Sequence, residues 1–200
     1  MDRAEALAAA VAARLFVELE ASGRHVHVTA RQAMTLFGHP LTPQRPLSQP
    51  GQFLAKERVT VVGPKGEFRE VAVLGPERKE AQVELSLTDG RALGIRLPIR
   101  LSGDIQGSPG VVLVGSEGRL ELPTGAIAAK RHIHLPPAAA ARVGVRDGQR
   151  VKLETFTNRP VIFQDVVIRV HPDFAPYAHL DYDEANACGF QKGDLGRILP

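Results

Sequence analysis

The sequence predicts a mainly β protein with short helices (α+β), organised as two small β-barrel domains capped by helices and pseudo-duplicated around two His-x-His strands. Three observations lead there. Nineteen glycines and fifteen prolines in 200 residues punctuate the chain too often for long helices, and suit many short strands and turns. Between them lie short runs rich in Val, Ile and Leu, which read as strands and, with few helices among them, as barrels or sheets with helical caps. Finally, one pattern occurs twice. Arg24-His25-Val26-His27 and Arg131-His132-Ile133-His134 are each followed by a short helical pattern that stops at a glycine, Gly38 and Gly144.

Taken in order, residues 2–16 read as an amphipathic helix, capped by Asp2 and lined on one face by Leu7, Val11 and Leu15. Such a helix either docks on the body or detaches to engage a partner. Residues 17–28 are predicted as one strand carrying the first histidine pair. Thr29-Ala30-Arg31-Gln32 is a capping box, and Gly38 ends the helix it opens. Residues 39–52 hold Pro40, Pro43, Pro46 and Pro50 and read as a loop. Residues 58–63 and 68–74 are strands around the turn Pro64-Lys65-Gly66, followed by the charged turn Gly75-Pro76-Glu77-Arg78-Lys79. In 81–87, Val83 and Leu85 face one way, Gln82 and Glu84 the other. Residues 88–94 read as a turn or one helical turn, 102–110 as a glycine-containing loop, and 111–122 as a hairpin. Residues 128–135 are predicted as a strand with the second histidine pair, and Pro136 opens the helix that Gly144 ends. Arg146-Asp147-Gly148 turns into a strand over 149–157. A strand over 161–170 and a loop over 171–178 follow. The chain then enters a last short helix from His179, with Asp181 or Asp183 as its cap.

The composition is that of a soluble globular protein, 24% charged, long enough for one large or two small domains. No apolar run approaches the roughly 20 residues of a membrane span, and the N-terminus makes a poor signal peptide. A net charge of +3 and a pI near 9.3 favour anionic ligands. The basic residues are unclustered, which argues against a nucleic-acid surface. A single cysteine, Cys188, rules out an internal disulfide, fits a reducing, cytoplasmic setting, and reads as a small buried residue.

The chemistry lies in the histidines. Residues i and i+2 of a strand share a face, so His25 and His27 project together, as do His132 and His134. Imidazole pairs suit zinc, and pairs from separate segments can close one site or two. His132, His134 and His179 can supply three donors to one ion. His25 and His27 need a third ligand, and Glu84 fits by pattern: it sits on the polar face of a strand otherwise built for burial, where an unpaired carboxylate would be costly. An exposed strand carboxylate would give the same pattern. Arg78, in a Gly-Pro-led loop, has the planar fork that reads phosphate bidentately; a solvated loop arginine is the alternative. Cupins place a Glu about four residues after the pair, where this chain has Arg31 and Gln32 or Ala138 and Ala139. Amidohydrolases need a longer β/α barrel of about 250 residues. No Ser-His-Asp or Cys-His arrangement offers a nucleophile.

The motifs together resemble one family. They are Ser22-Gly23-Arg24-His25-Val26-His27-Val28, Leu47-Ser48-Gln49-Pro50-Gly51-Gln52-Phe53, Leu74-Gly75-Pro76-Glu77-Arg78-Lys79, Gln82-Val83-Glu84, Ser102-Gly103-Asp104, Gly107-Ser108-Pro109-Gly110, Lys130-Arg131-His132-Ile133-His134 and His179-Leu180-Asp181-Tyr182-Asp183-Glu184-Ala185-Asn186. Over nearly its whole length the chain resembles the phosphate propanoyltransferases of bacterial microcompartments, the PduL-type phosphotransacylases. The resemblance implies an enzyme that uses two zinc ions to exchange coenzyme A and phosphate on a short acyl group. It implies His25, His27 and Glu84 at one zinc, His132, His134 and His179 at the other, and Arg78 at the phosphate. It places Ala21, Ser22, Gly23, Lys65 and Asn186 at coenzyme A. It also implies two barrels, residues 1–21 with 130–200 and residues 22–129, in a homodimer. An N-terminal helix that addresses the enzyme to a microcompartment is a further expectation. Two positions depart from the family pattern: Gly23 stands where Asn is usual, and Ala72 where Arg is usual, with Arg69 or Arg58 as the candidate substitute. Two rival readings remain at this point, a dizinc hydrolase of a thioester or phosphate ester and a non-catalytic zinc-stabilised binding module.

Overall fold

The computed structural model describes residues 2–3 and 16–199. The helix expected over 2–16 falls almost wholly outside them. The described residues are mainly strand, in two barrel-like sheets, and the chain divides into two compact units. The first comprises Met1–Ser22 with Arg131–Pro200, the second Gly23–Lys130. Among the described residues, no helix is long and apolar enough to cross a membrane.

The first unit is a closed six-stranded barrel. Its strands are β1 (Val17–Ser22), β11 (His132–Leu135), β12 (Arg150–Phe156), β13 (Ile162–Val170), β14 (Tyr177–Asp181) and β15 (Leu195–Leu199), in the order β1-β14-β11-β13-β12-β15. Leu19, Ile133, Leu153, Ile168 and Leu180 fill its interior, each essentially inaccessible to water.

The second unit is a nine-stranded curled sheet. Its strands are β2 (His25–His27), β3 (Pro43–Pro46), β4 (Phe53–Val62), β5 (Glu67–Gly75), β6 (Gln82–Leu85), β7 (Ile99–Arg100), β8 (Val111–Val114), β9 (Arg119–Leu122) and β10 (Ala126–Ala129). They run β7-β10-β6-β2-β5-β4-β8-β9, with β3 on β4. Val26, Val61, Val73, Val83 and Leu113 form its aliphatic core, as the shortage of aromatics in the sequence requires.

Among the described residues, four short helices with both ends defined cap the sheets: α1 (Ala30–Phe37), α2 (Leu87–Leu93), α3 (Pro137–Val143) and α4 (Tyr182–Cys188). Three begin with a reciprocal capping box, Thr29 with Gln32, Ser86 with Asp89, and Asp181 with Glu184. Each box satisfies two otherwise unpaired N–H groups. All four end at a left-handed glycine, Gly38, Gly94, Gly144 and Gly189.

Several expectations need correction. The run 17–28 is not one strand. It breaks at Gly23-Arg24: β1 pairs with β14 and β15, whereas β2 lies between β5 and β6. The run 128–135 breaks likewise, between β10, paired with β6 and β7, and β11, paired with β13 and β14. Neither run contains a proline to mark the break, and it is the strand partners that reveal two strands in each. The proline-rich 39–52 contains β3, held on β4, where an edge position tolerates proline. Residues 88–93 lie in the seven-residue helix α2, capped at Ser86 and ended by Gly94, which is longer than the turn or single helical turn expected. His179 lies on β14 rather than in the last helix, which begins after Asp181. β15, not expected from the sequence, closes the barrel between β1 and β12.

The two histidine strands occupy equivalent places. Each lies between a parallel and an antiparallel neighbour, β5 and β6 around β2, β13 and β14 around β11. His25 pairs with Ala72 on β5, and His132 with Val167 on β13. Both parallel neighbours carry a non-glycine residue with positive φ at the matching position, Glu70 (54°) and Asp165 (57°). The duplication suspected from the motif thus extends to its surroundings.

Candidate active site

On β2 the inward-facing residue between the histidines is Val26, and on β11 it is Ile133; both are fully buried. That anchoring turns the histidine pairs to the opposite face. The third residue of each cluster comes from the antiparallel neighbour. Glu84 on β6 is directly opposite His25, and His179 on β14 directly opposite His132.

In the second unit, one donor atom each from His25, His27 and Glu84 lies within 4.8 Å of the others. His25 Nε2 is 3.6 Å and His27 Nε2 3.9 Å from the Glu84 carboxylate. The Nδ1–H of His25 donates to Gly23 O (2.8 Å) and that of His27 to Leu74 O (3.2 Å). Those bonds fix the tautomer that leaves Nε2 as the donor facing the cluster. All three side chains are buried. Burial pushes His25 down, but the Glu84 carboxylate and the Gly23 carbonyl outweigh it and raise its pKa. His27 is held well below its usual range by burial and by the positive charges of His25 and Arg78. Burial raises Glu84, yet both histidines and Ser102 outweigh it and hold the carboxyl ionised.

A polar network surrounds Glu84. Gln82 Nε2 donates to the carboxylate and also to Ser102 Oγ, the latter at 2.8 Å. Gln82 Oε1 accepts from Gly103 N at 2.7 Å. Arg78 Nη1 donates to the same Ser102 Oγ at 3.0 Å, and Arg78 N donates to Val28 O at 2.8 Å. The last bond pins the arginine loop to the chain one residue beyond His27. The Ser102 hydroxyl therefore joins Arg78 to the cluster.

In the first unit, one donor atom each from His132, His134 and His179 lies within 4.8 Å of the others. His132 and His179 stack at 4.9 Å between centroids, and Phe174 stacks on His134 at 3.9 Å. Glu20, the β1 partner of His179, holds its carboxylate 3.3 Å from His179 Nδ1. Two histidines with a carboxylate, and three histidines, are donor sets that zinc takes with a position left open. Both clusters fit such an ion.

The structure brings together all six expected donors, three in each unit, with Arg78 beside one set. Ala21 and Ser22 end β1, opposite Leu180 and Asp181, and Asn186 lies on α4 of the same unit. Gly23 accepts the His25 bond. Lys65 sits in the 63–66 turn with its aliphatic stem packed over Gly94, where a Cβ would approach Lys65 Cγ within 2.5 Å. Arg58 is the cross-strand partner of Ala72, but its guanidinium turns back onto the carbonyls of Ala55, Lys56 and Glu57 and onto Gln44. Arg69 pairs with Glu67 at the surface. Sequence reasoning missed Gln82 and Ser102 as members of the network, although both lie in motifs that carry the resemblance. It also missed Glu20 and Phe174, which no local pattern marks.

The sequence profile of phosphate propanoyltransferase matches residues 18–191. A phosphate propanoyltransferase of Listeria monocytogenes is 53% identical over 185 residues, covering 92% of this chain and 87% of that protein. Its namesake in Enterococcus faecalis is 53% identical over 184 residues, 91% of this chain and 87% of that one. The Thermotoga maritima protein of the same name is 52% identical over 181 residues, 89% and 86%. With two three-donor clusters on a duplicated β frame and half its residues shared with such relatives, the chain belongs to the phosphate propanoyltransferase family of transferases.

Proposed function

We propose that this chain interconverts a short-chain acyl-CoA (propanoyl-CoA or acetyl-CoA) and phosphate with acyl phosphate and CoA, and that each donor cluster holds one zinc ion. The observation that carries this reading is the Arg78–Ser102–Glu84 connection, which sets a phosphate-reading guanidinium beside a cluster of metal-ligand type. In the forward direction a phosphate oxygen attacks the thioester carbonyl carbon. A C–O bond forms, the C–S bond breaks, and CoA leaves as the thiolate. Bound zinc supplies positive charge that stabilises an anionic oxygen or the departing sulfur. Arg78 binds the phosphate dianion and offsets its repulsion from an anionic cofactor. Ser102 accepts from Arg78 and so fixes the direction in which the guanidinium points. No side chain need form an acyl intermediate.

Coenzyme A contacts at Ala21, Ser22, Gly23, Lys65 and Asn186 belong to the same proposal. So do a homodimer and a cytoplasmic location inside a bacterial microcompartment, addressed by the helix expected from the sequence over 2–16. The resemblance supports these.

The test is release of CoA thiol from propanoyl-CoA with and without phosphate. Phosphate-dependent release supports the transferase. Phosphate-independent release would make the chain a hydrolase, and no release a binding module.

A further inference from the structure

Each donor cluster is framed by a residue pair that the transfer reaction does not use. The residue immediately before each histidine strand is an arginine. Arg24 lies over the Phe68 ring at 4.2 Å and donates to both oxygens of Asp89, Nη2 to Oδ1 at 2.8 Å and Nε to Oδ2 at 3.3 Å. Arg131 lies over the Phe163 ring at 5.6 Å and donates Nη1 to Glu184 Oε1 at 2.5 Å and Nε to Gln164 O at 2.7 Å. Phe68 and Phe163 sit at matching places on β5 and β13, in each case four residues before the partner of the first histidine.

The carboxylates match too. Asp89 and Glu184 are the capping-box residues of α2 and α4, and they accept the backbone N–H of Ser86 and Asp181, both at 3.2 Å. Ser86 and Asp181 each lie two residues beyond a cluster member, Glu84 or His179. The arginine therefore ties the head of the histidine strand to the corner where the neighbouring strand becomes a helix. β2 is only three residues long, and β11 meets β14 over three pairs. So short a ladder frays readily, and a metal site tolerates little spread among its donors.

We propose that Arg24 and Arg131 are positioning residues that hold Glu84 and His179 in register with their histidine pairs, and that each thereby sets the zinc affinity of its own cluster. This rests on the zinc reading. The two clamps differ in carboxylate and in the detail of their contacts and serve different donor sets, yet both join the head of the histidine strand to the capping carboxylate beside the third donor, which points to the cluster rather than to either helix.

The experiment uses the full chain stripped of metal. Zinc affinity is read by competition with a chromophoric chelator, and donor geometry by the visible absorption of bound cobalt(II). His25→Ala and His132→Ala variants, each keeping one cluster, assign the two equivalents. Arg131→Met should weaken the three-histidine equivalent by about 10–100-fold, the range for losing an outer-shell partner, and change its cobalt spectrum while leaving the other equivalent alone. Arg24→Met should do the converse. Lysine at either position should recover only part, since an ammonium keeps the charge and loses the fork. Glu184→Gln keeps an acceptor for the helix cap and removes the charge that Arg131 meets, so it tests the clamp even if Arg131→Met fails to fold. Variants with lowered metal-free stability but unchanged zinc affinity would reduce the clamps to structural caps. Equal weakening of both equivalents would mean general loosening and would also overturn the proposal. A wild-type chain that binds no zinc at all would sink the zinc reading itself, and the two failures are thereby distinguished.

Discussion

His25 and Glu84 face one another across the β2–β6 ladder, His25 Nε2 lying 3.6 Å from the carboxylate. His132 and His179 stand in the same relation across β11–β14. In each unit two donors come from one strand and the third from the strand hydrogen-bonded beside it. The set is thus held by sheet register rather than by loops, and a sheet fixes register firmly where one face is buried.

The first prediction is stoichiometric. The purified chain resupplied with zinc should hold two equivalents, and His25→Ala or His132→Ala should each leave one. Metal analysis by mass spectrometry decides it. A variant that keeps both equivalents removes its histidine from the donor set.

Arg78 should affect phosphate and not metal. Arg78→Ala should lower kcat/KM for phosphate by roughly 2–4 kcal/mol, the range for losing one electrostatic stabiliser. Arg78→Lys should be intermediate, because it keeps the charge and loses the two parallel donors. Zinc content should not change. Kinetics with phosphate varied at saturating acyl-CoA provide the measurement. A rise in the KM for acyl-CoA alone would assign the loop to the cofactor.

Glu20 should matter for the three-histidine cluster. Its carboxylate is 3.3 Å from His179 Nδ1, the position from which an outer carboxylate orients a ligating imidazole. Glu20→Ala should weaken zinc at that cluster about 10–100-fold, and Glu20→Gln less. Chelator competition would show no change if the contact has no bearing on the metal.

Glu57 should contribute to acid stability. Burial pushes its carboxyl up, but hydrogen bonds from the Thr42 N–H and hydroxyl and from its own N–H, with the nearby charge of His39, outweigh burial and lower it. A lowered folded pKa favours the folded state above the unfolded value of about 4.5, and that contribution fades as pH falls through the folded pKa. Glu57→Gln should therefore flatten the acid limb of the stability curve below about pH 4.5 while leaving its basic limb unchanged. Urea titrations between pH 3 and 7 would test it, and an unchanged acid limb would count against it.

Much of this protein follows from short-range pattern. Alternation along a strand puts His25 with His27 and His132 with His134. The capping boxes at Thr29 and Asp181 and the stops at Gly38 and Gly144 are also local, because they satisfy backbone groups within one turn. Glu84 was a candidate on pattern, and the resemblance supplied the full donor sets. The pairings were not local. Whether residues 17–28 form one strand or two depends on which strands lie alongside. Nothing near Gly23 announces that β1 goes to one sheet and β2 to another. Glu20 meets His179 only because β1 runs parallel to β14, and Ser102 joins Arg78 to Glu84 only because its loop folds back over β6. Those contacts join residues far apart in sequence, and partner choice is settled by burying both faces of a strand at once. Sequence periodicity specifies which face a side chain takes; the closed sheet specifies what it meets there.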